Sequence, residues 1–172
     1  ADMRARGFLI GATAGRTTLE GEGLQHQDGT SLLVASTVPS CRAYDPTFGY
    51  EMAVIIQDGL KRMFQDEEDV FYYIMAMNEK YHHPEMPKGV EEGIIKGMYV
   101  LHPAKKGKLN VQLLGSGAIL NEVVAAAKLL EKDFNVDATV WSVTSFAELR
   151  RDALHCERHN RLNPDQKPIV SY

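Results

Sequence analysis

The sequence predicts an α/β chain built on parallel strands, and three features of its 172 residues carry that prediction. NVQLLGSG, AILNEVVAAAKLLEKDF and DATVWSVTS follow one another as strand, helix and strand. This is the order of a βαβ unit, whose two strands lie parallel. VFYYIMAM is an aromatic-rich run without polar alternation, as expected of a strand covered on both faces. DPTFGYEMAVIIQDGLKRMF repeats apolar residues at helical spacing, the pattern of a helix packed on a sheet.

Taken in order, FLIGATAGRTTLEGEGLQHQDGTS opens the chain with small and polar residues and five glycines. It is too hydrophilic for core and too varied for a linker. SLLVASTVPSCRAY then predicts one or two short extended pieces broken at Pro39. Asp45 stands as a helix cap with Pro46 at the first helical position, where its missing N–H costs nothing. The stripe of that helix is Phe48, Met52, Ile55, Ile56, Leu60, Met63 and Phe64. A charged turn, QDEED, leads to the VFYYIMAM strand.

NEKYHHPEMPKG, with two prolines and two adjacent histidines, predicts a loop and a domain boundary in or near it. VEEGIIKGMYVL predicts a short helix weakened by Gly93 and Gly97, and HPAKKGK a solvated basic turn. In the βαβ unit that follows, Ile119, Leu120, Val123, Val124 and Ala127 line one side of the helix. Ser145 and Glu148 then form the S-x-x-E pattern that opens a helix over SFAELRRDALHCERH.

Composition excludes some classes. The net charge is −4, and Lys and Arg are spread along the chain rather than gathered into a stripe, so neither a nucleic-acid footprint nor a membrane-binding face is indicated. No apolar run approaches the roughly 20 residues of a membrane span, so the chain is expected to be soluble. Cys41 and Cys156 lie far apart without CxxC spacing, which points to a reducing cytoplasm. The start without an initiator methionine and the finish PIVSY point to a piece of a longer chain.

Four groups of residues are candidates for chemistry. Gly115, Ser116 and Gly117 follow a strand and open a helix, so they form either a tight turn capped by Ser116 or a cradle for an anion. Position 120 is Leu where the dinucleotide fingerprint needs glycine, and the acidic residues about 20 positions on, Asp133 and Asp137, sit at a helix end; both favour the turn. His155 and His159 stand four apart on a helix and could share a metal, yet no further ligands lie at compatible spacing. His82 and His83 lie in the proline-rich loop, at the kind of junction where substrate entrances occur.

The fourth candidate is His26 in GEGLQHQDGT. Gly21 and Gly23 allow backbone geometries closed to other residues, and Gln25, Gln27 and Asp28 offer partners that could orient the imidazole. Such a histidine can position a carboxylate or pass a proton near neutral pH. Spacing alone favours a surface histidine.

MRARGFLIGATAGRTTLEGEGLQHQDG, YDPTFGYEMAVIIQDGLKRMF, VFYYI with NEKYHHPEMP, VQLLGSGAIL, and VTSFAELRRD followed by CER occur together and in order. In these stretches the chain resembles the bacterial, homodimeric type of pyruvate dehydrogenase decarboxylating component, over essentially its whole length and over the later part of that large subunit. The resemblance implies the end of a thiamine-diphosphate pyrimidine-binding domain, residues 1–88, followed by the start of a transketolase C-terminal-type domain, residues 89–172.

It also implies an enzyme using thiamine diphosphate and Mg2+ that decarboxylates pyruvate and reductively acetylates lipoyl groups on the dihydrolipoyl acetyltransferase component, with active sites formed between two copies of the subunit. His26 matches the family's active-site histidine, on a loop that reaches the substrate side of the cofactor. The family carries a second histidine where this chain has Thr30, and non-histidine residues at positions 155 and 159, which counts against a metal there. The family's diphosphate and magnesium motif and its activating glutamate belong to parts not found here, so this segment alone is expected to be inactive.

Two other functions are compatible with the residues. One is a subunit-interaction module without catalysis, which the missing motifs favour for this segment taken alone, and the other a nucleotide-binding domain resting on Gly115–Gly117, for which the glycine signal is weak. A sheet cut between its strands exposes unpaired edges, so the isolated segment is expected to self-associate.

Overall fold

The computed structural model describes residues 3–11, 29–77, 80–105 and 109–172. Along the chain run β1 (Phe8–Gly11), α1 (Ser31–Ser36), β2 (Cys41–Tyr44), α2 (Gly49–Leu60), β3 (Phe71–Met75), α3 (Glu91–Lys96), β4 (Met98–His102), β5 (Asn110–Gly115), α4 (Ile119–Phe134), β6 (Asp137–Val143) and α5 (Phe146–Leu162). Among the described residues these strands form two three-stranded sheets, ordered β1-β3-β2 and β4-β6-β5. The architecture is α/β, as the sequence predicts.

The first sheet is wholly parallel, with Gly11 opposite Met75 and Tyr44 opposite Ile74. Its central strand is the VFYYIMAM run, in which Tyr72, Ile74 and Met75 are buried. The expected βαβ unit is β5-α4-β6, with β5 and β6 paired in parallel from Asn110 opposite Asp137 to Gly115 opposite Ser142. β4 adds an antiparallel strand on the other side of β6.

Five elements differ from the sequence reading. Ser31–Ser36 is helical rather than extended: Ser36 and Thr37 close it by donating their hydroxyls to the carbonyls of Leu33 and Val34. FLIG at the start is a strand, zipped into the first sheet by β3. MYVLH is also a strand, because Gly97 takes a left-handed φ of 114° and ends α3 after six residues.

α2 starts at Gly49, not Pro46. Asp45 is drawn instead toward the second sheet, its N–H donating to Thr144 O at 2.7 Å, and the helix is capped by Glu51. Lastly, half of the S-x-x-E box forms. Ser145 Oγ accepts from Glu148 N at 3.0 Å, while the Glu148 carboxylate lies 3.2 Å from both Arg42 and Arg151.

α2 continues through a wider π-helical turn at Lys61–Gln65. That turn shifts the apolar stripe: Phe48, Ile55 and Met63 are buried, whereas Leu60 and Phe64 face outward. Ile55, Tyr72 and Ile74 from the first half join Ile94, Tyr99, Leu120 and Val140 from the second in one core cluster.

A polar knot sits inside that shared core. The carboxylate of Glu51, with no exposed surface, accepts from Thr47 N at 2.6 Å, Phe48 N at 2.9 Å, Tyr99 Oη at 2.8 Å and Ser142 Oγ at 2.6 Å. A buried charge persists only when hydrogen bonds replace its water, and the start of a helix supplies some of them. The single Tyr99 proton goes to the carboxylate, so Tyr50 Oη, 2.5 Å away, donates to Tyr99 Oη. Burial first, and the Glu51 charge second, push the Tyr99 hydroxyl far above the usual phenol range, which keeps it a donor.

Replacing Tyr99 with Phe removes one donor from this carboxylate and leaves Tyr50 without its acceptor. We expect Tyr99→Phe to lower stability by about 1–3 kcal/mol, read as a lower midpoint in urea unfolding with an unchanged slope.

Candidate functional site

In open parallel sheets, ligands bind outside the carboxyl ends of the strands. Here that edge is formed by Gly11, Tyr44 and Met75, the last residues of β1, β2 and β3. His26 lies outside the described residues; in sequence, its segment leaves this edge at Gly11 and rejoins the described chain at Gly29. Gly11 is needed for space, since a Cβ there would lie 2.5 Å from Tyr73 Oη.

Around the edge, the residues after β2 and β3 meet. Tyr81 Oη donates to Thr47 O, and the Tyr81 ring stacks on His83 with centroids 4.9 Å apart. His83 Nδ1 accepts from Gly49 N at 3.0 Å, so this imidazole caps α2, and its ring meets Phe48 edge-on. Beside the edge, Leu32, Leu33, Ala43, Asp45 and Phe146 line a cavity of about 260 Å³ between α1 and the start of α5. Thr30 begins α1 and accepts Val34 N through its carbonyl.

The glycine turn at 115–117 is not an anion cradle. Ser116 Oγ donates to Asp45 Oδ2 at 2.9 Å, Thr47 Oγ1 donates to Gly117 O at 2.8 Å, and Gly117 N donates to Asp45 O at 3.3 Å. A carboxylate thus already occupies the mouth of α4 and would repel a phosphate. Nor does Ser116 cap the helix; Ala118 holds the cap position without a side-chain bond. Asp137 begins β6, at the far end of the strand pair from Gly115, and its Oδ1 accepts from Ala138 N. These contacts overturn the nucleotide-binding alternative and give the turn a structural role.

The remaining candidates do not converge. His155 and His159 have ring centroids 6.5 Å apart on α5. Among the described residues, no three His, Cys, Asp or Glu side chains group to hold a metal ion. The described residues thus offer no cluster of acidic or imidazole ligands for a metal ion, and the glycine turn, held by Asp45, gives no room to a diphosphate. Cys41 and Cys156 are free and buried, and burial raises the Cys41 thiol above its usual range, which disfavours the thiolate. No helix among the described residues is long and apolar enough to cross a membrane.

Sequence reasoning missed Glu51, Tyr81 and the capping role of His83. The only signal for Glu51 was its place three residues after the true cap, Phe48, where a glutamate bonds the first backbone amides.

The fold and this edge define the class. The transketolase of Campylobacter jejuni superposes with a TM-score of 0.60 at 21% identity, over 88% of this chain and 22% of that one. The transketolase of Leishmania mexicana gives 0.58 at 15% identity, over 76% and 18%. The pyruvate dehydrogenase E1 component middle domain matches residues 1–84, and the transketolase-like TK C-terminal domain matches residues 97–172.

The pyruvate dehydrogenase E1 component of Pseudomonas aeruginosa is 64% identical over 172 residues, covering 99% of this chain and 20% of that protein. That of Escherichia coli is 56% identical over 172 residues, covering 99% and 19%. The chain belongs to the pyruvate dehydrogenase E1 component family, and it spans about a fifth of the length of these relatives.

A Cβ at Gly117 would lie 2.7 Å from Asp45 Oδ1 and 2.7 Å from Met77 Cε, at a left-handed φ of 55°. Gly117→Ala should therefore cost about 1–3 kcal/mol, read as a lower Tm, and neither ATP nor NAD should bind the parent protein at this turn in calorimetry.

Proposed function

We propose that this chain is part of a thiamine-diphosphate- and Mg2+-dependent pyruvate dehydrogenase subunit of the acetyl-transferring kind. The whole subunit decarboxylates pyruvate and reductively acetylates the lipoyl groups of a dihydrolipoyl acetyltransferase component. It works in the cytoplasm as a homodimer, with no nucleic acid and no membrane as partner. The observation that carries this reading is the 64% identity over 172 residues to a relative bearing that name.

Within the segment, residues 1–88 are the last part of the pyrimidine-binding domain and 89–172 the first part of the transketolase C-terminal-type domain. His26 is the residue that meets substrate. Its imidazole helps to hold the carboxylate of pyruvate. Thiamine diphosphate supplies the electron sink for decarboxylation when bound, held with its metal by parts of the subunit beyond this segment. What this segment contributes is the histidine.

In the full-length subunit, His26→Ala should reduce turnover by about 100-fold or more, with Tm almost unchanged, because a loop side chain contributes little packing. Steady-state assays of pyruvate oxidation check this; wild-type turnover together with wild-type pyruvate affinity would remove His26 from the site.

A further inference from the structure

Between Tyr81 and Val90, both packed against the core, the chain crosses the carboxyl edge of the first sheet on its way to α3. His82, His83, Glu85, Met86, Lys88 and Gly89 are exposed. Positions 82–87 lie in no sheet or helix, and Lys88 and Gly89 form a turn ahead of Val90. Two side-chain bonds hold the chain here: His83 Nδ1 accepts from Gly49 N at 3.0 Å, and Tyr81 Oη donates to Thr47 O. Stacking of the Tyr81 and His83 rings makes these two bonds one unit, seated on the edge of Phe48.

The segment has the mechanical parts of a flap. Pro84 and Pro87 fix φ at two positions and stiffen its body. Gly89, with φ of 74°, takes the left-handed conformation of the turn before the anchored Val90, a backbone geometry in which glycine is the least restrained residue. Segments with few buried contacts and few backbone hydrogen bonds are the first to open locally.

We propose that residues 82–89 form a flap over the start of α2, stiffened by Pro84 and Pro87 and hinged at Gly89, between the core-packed Tyr81 and Val90. The His83–Gly49 bond latches it against Tyr81, which its own bond to Thr47 holds in place, and its opening uncovers the Phe48 ring at the carboxyl edge. The latch needs an acceptor at the δ position of residue 83. Asparagine supplies one and alanine does not, which separates the hydrogen bond from mere occupancy of the surface. This inference is independent of the assignment to His26, and its test reads no catalysis.

The experiment is amide hydrogen exchange of the full-length protein, followed at peptides covering residues 47–50 and 80–90. His83→Ala should speed exchange of the Gly49 amide by about tenfold, and His83→Asn should restore most of the protection. In the wild type that amide should be protected. Wild-type exchange in the alanine variant, equal exchange in the two variants, or an unprotected Gly49 amide in the wild type would each overturn the latch.

Discussion

The architecture turns on one buried carboxylate. Glu51 has no exposed surface, and four donors surround it, two backbone amides at the start of α2 and two hydroxyls from β4 and β6. No purely apolar packing would demand such a specific relation between the sheets. An isolated carboxylate in a core is prohibitive, so the second sheet must bring Tyr99 and Ser142 to it, and the helix must start where its amides point inward. The fold accordingly has one cluster of apolar residues where two sheets would otherwise build two.

Around that knot the other contacts between the halves fall into line. Tyr44 Oη reaches Ile95 O, Ser145 Oγ reaches Ala43 O, and Arg151 donates to the carbonyls of Pro39 and Cys41. Asp45 and Thr47 close on the glycine turn at 115–117. The carboxyl edge of the first sheet is thereby tied to the second. Precision at a site comes from such support.

Much of this was legible in the residues because it rests on local periodicity. The strand at VFYYIMAM, the βαβ unit and the helices around Ile55 and Val123 all follow from spacing and composition. What escaped depended on partners distant in sequence. Asp45-Pro46 has the chemistry of a helix start, yet Asp45 serves Ser116, 71 residues away, and the cap passes to Glu51. SLLVASTVPS reads as extended pieces broken at Pro39, yet Leu32, Leu33 and Ala35 favour a helix, which forms over Ser31–Ser36 ahead of the proline. Gly93 and Gly97 read as a weakened helix, whereas Gly97 ends α3 and starts β4. His26 rests on resemblance, since spacing alone favoured a surface histidine, and it lies outside the described residues; the capping role of His83 has no local signature at all.

The most direct test of the shared carboxylate compares amide exchange in β3 and β6 of the full-length protein before and after Glu51→Gln. A glutamine can keep its carbonyl toward the two backbone amides, but its NH2 then faces the Tyr99 and Ser142 hydroxyls, which lose the charged acceptor they donate to. If the carboxylate binds the two sheets into one cooperative unit, the amides of Ile74 and Val140 lose protection together and by the same factor. Loss in one sheet with full protection retained in the other would contradict the account.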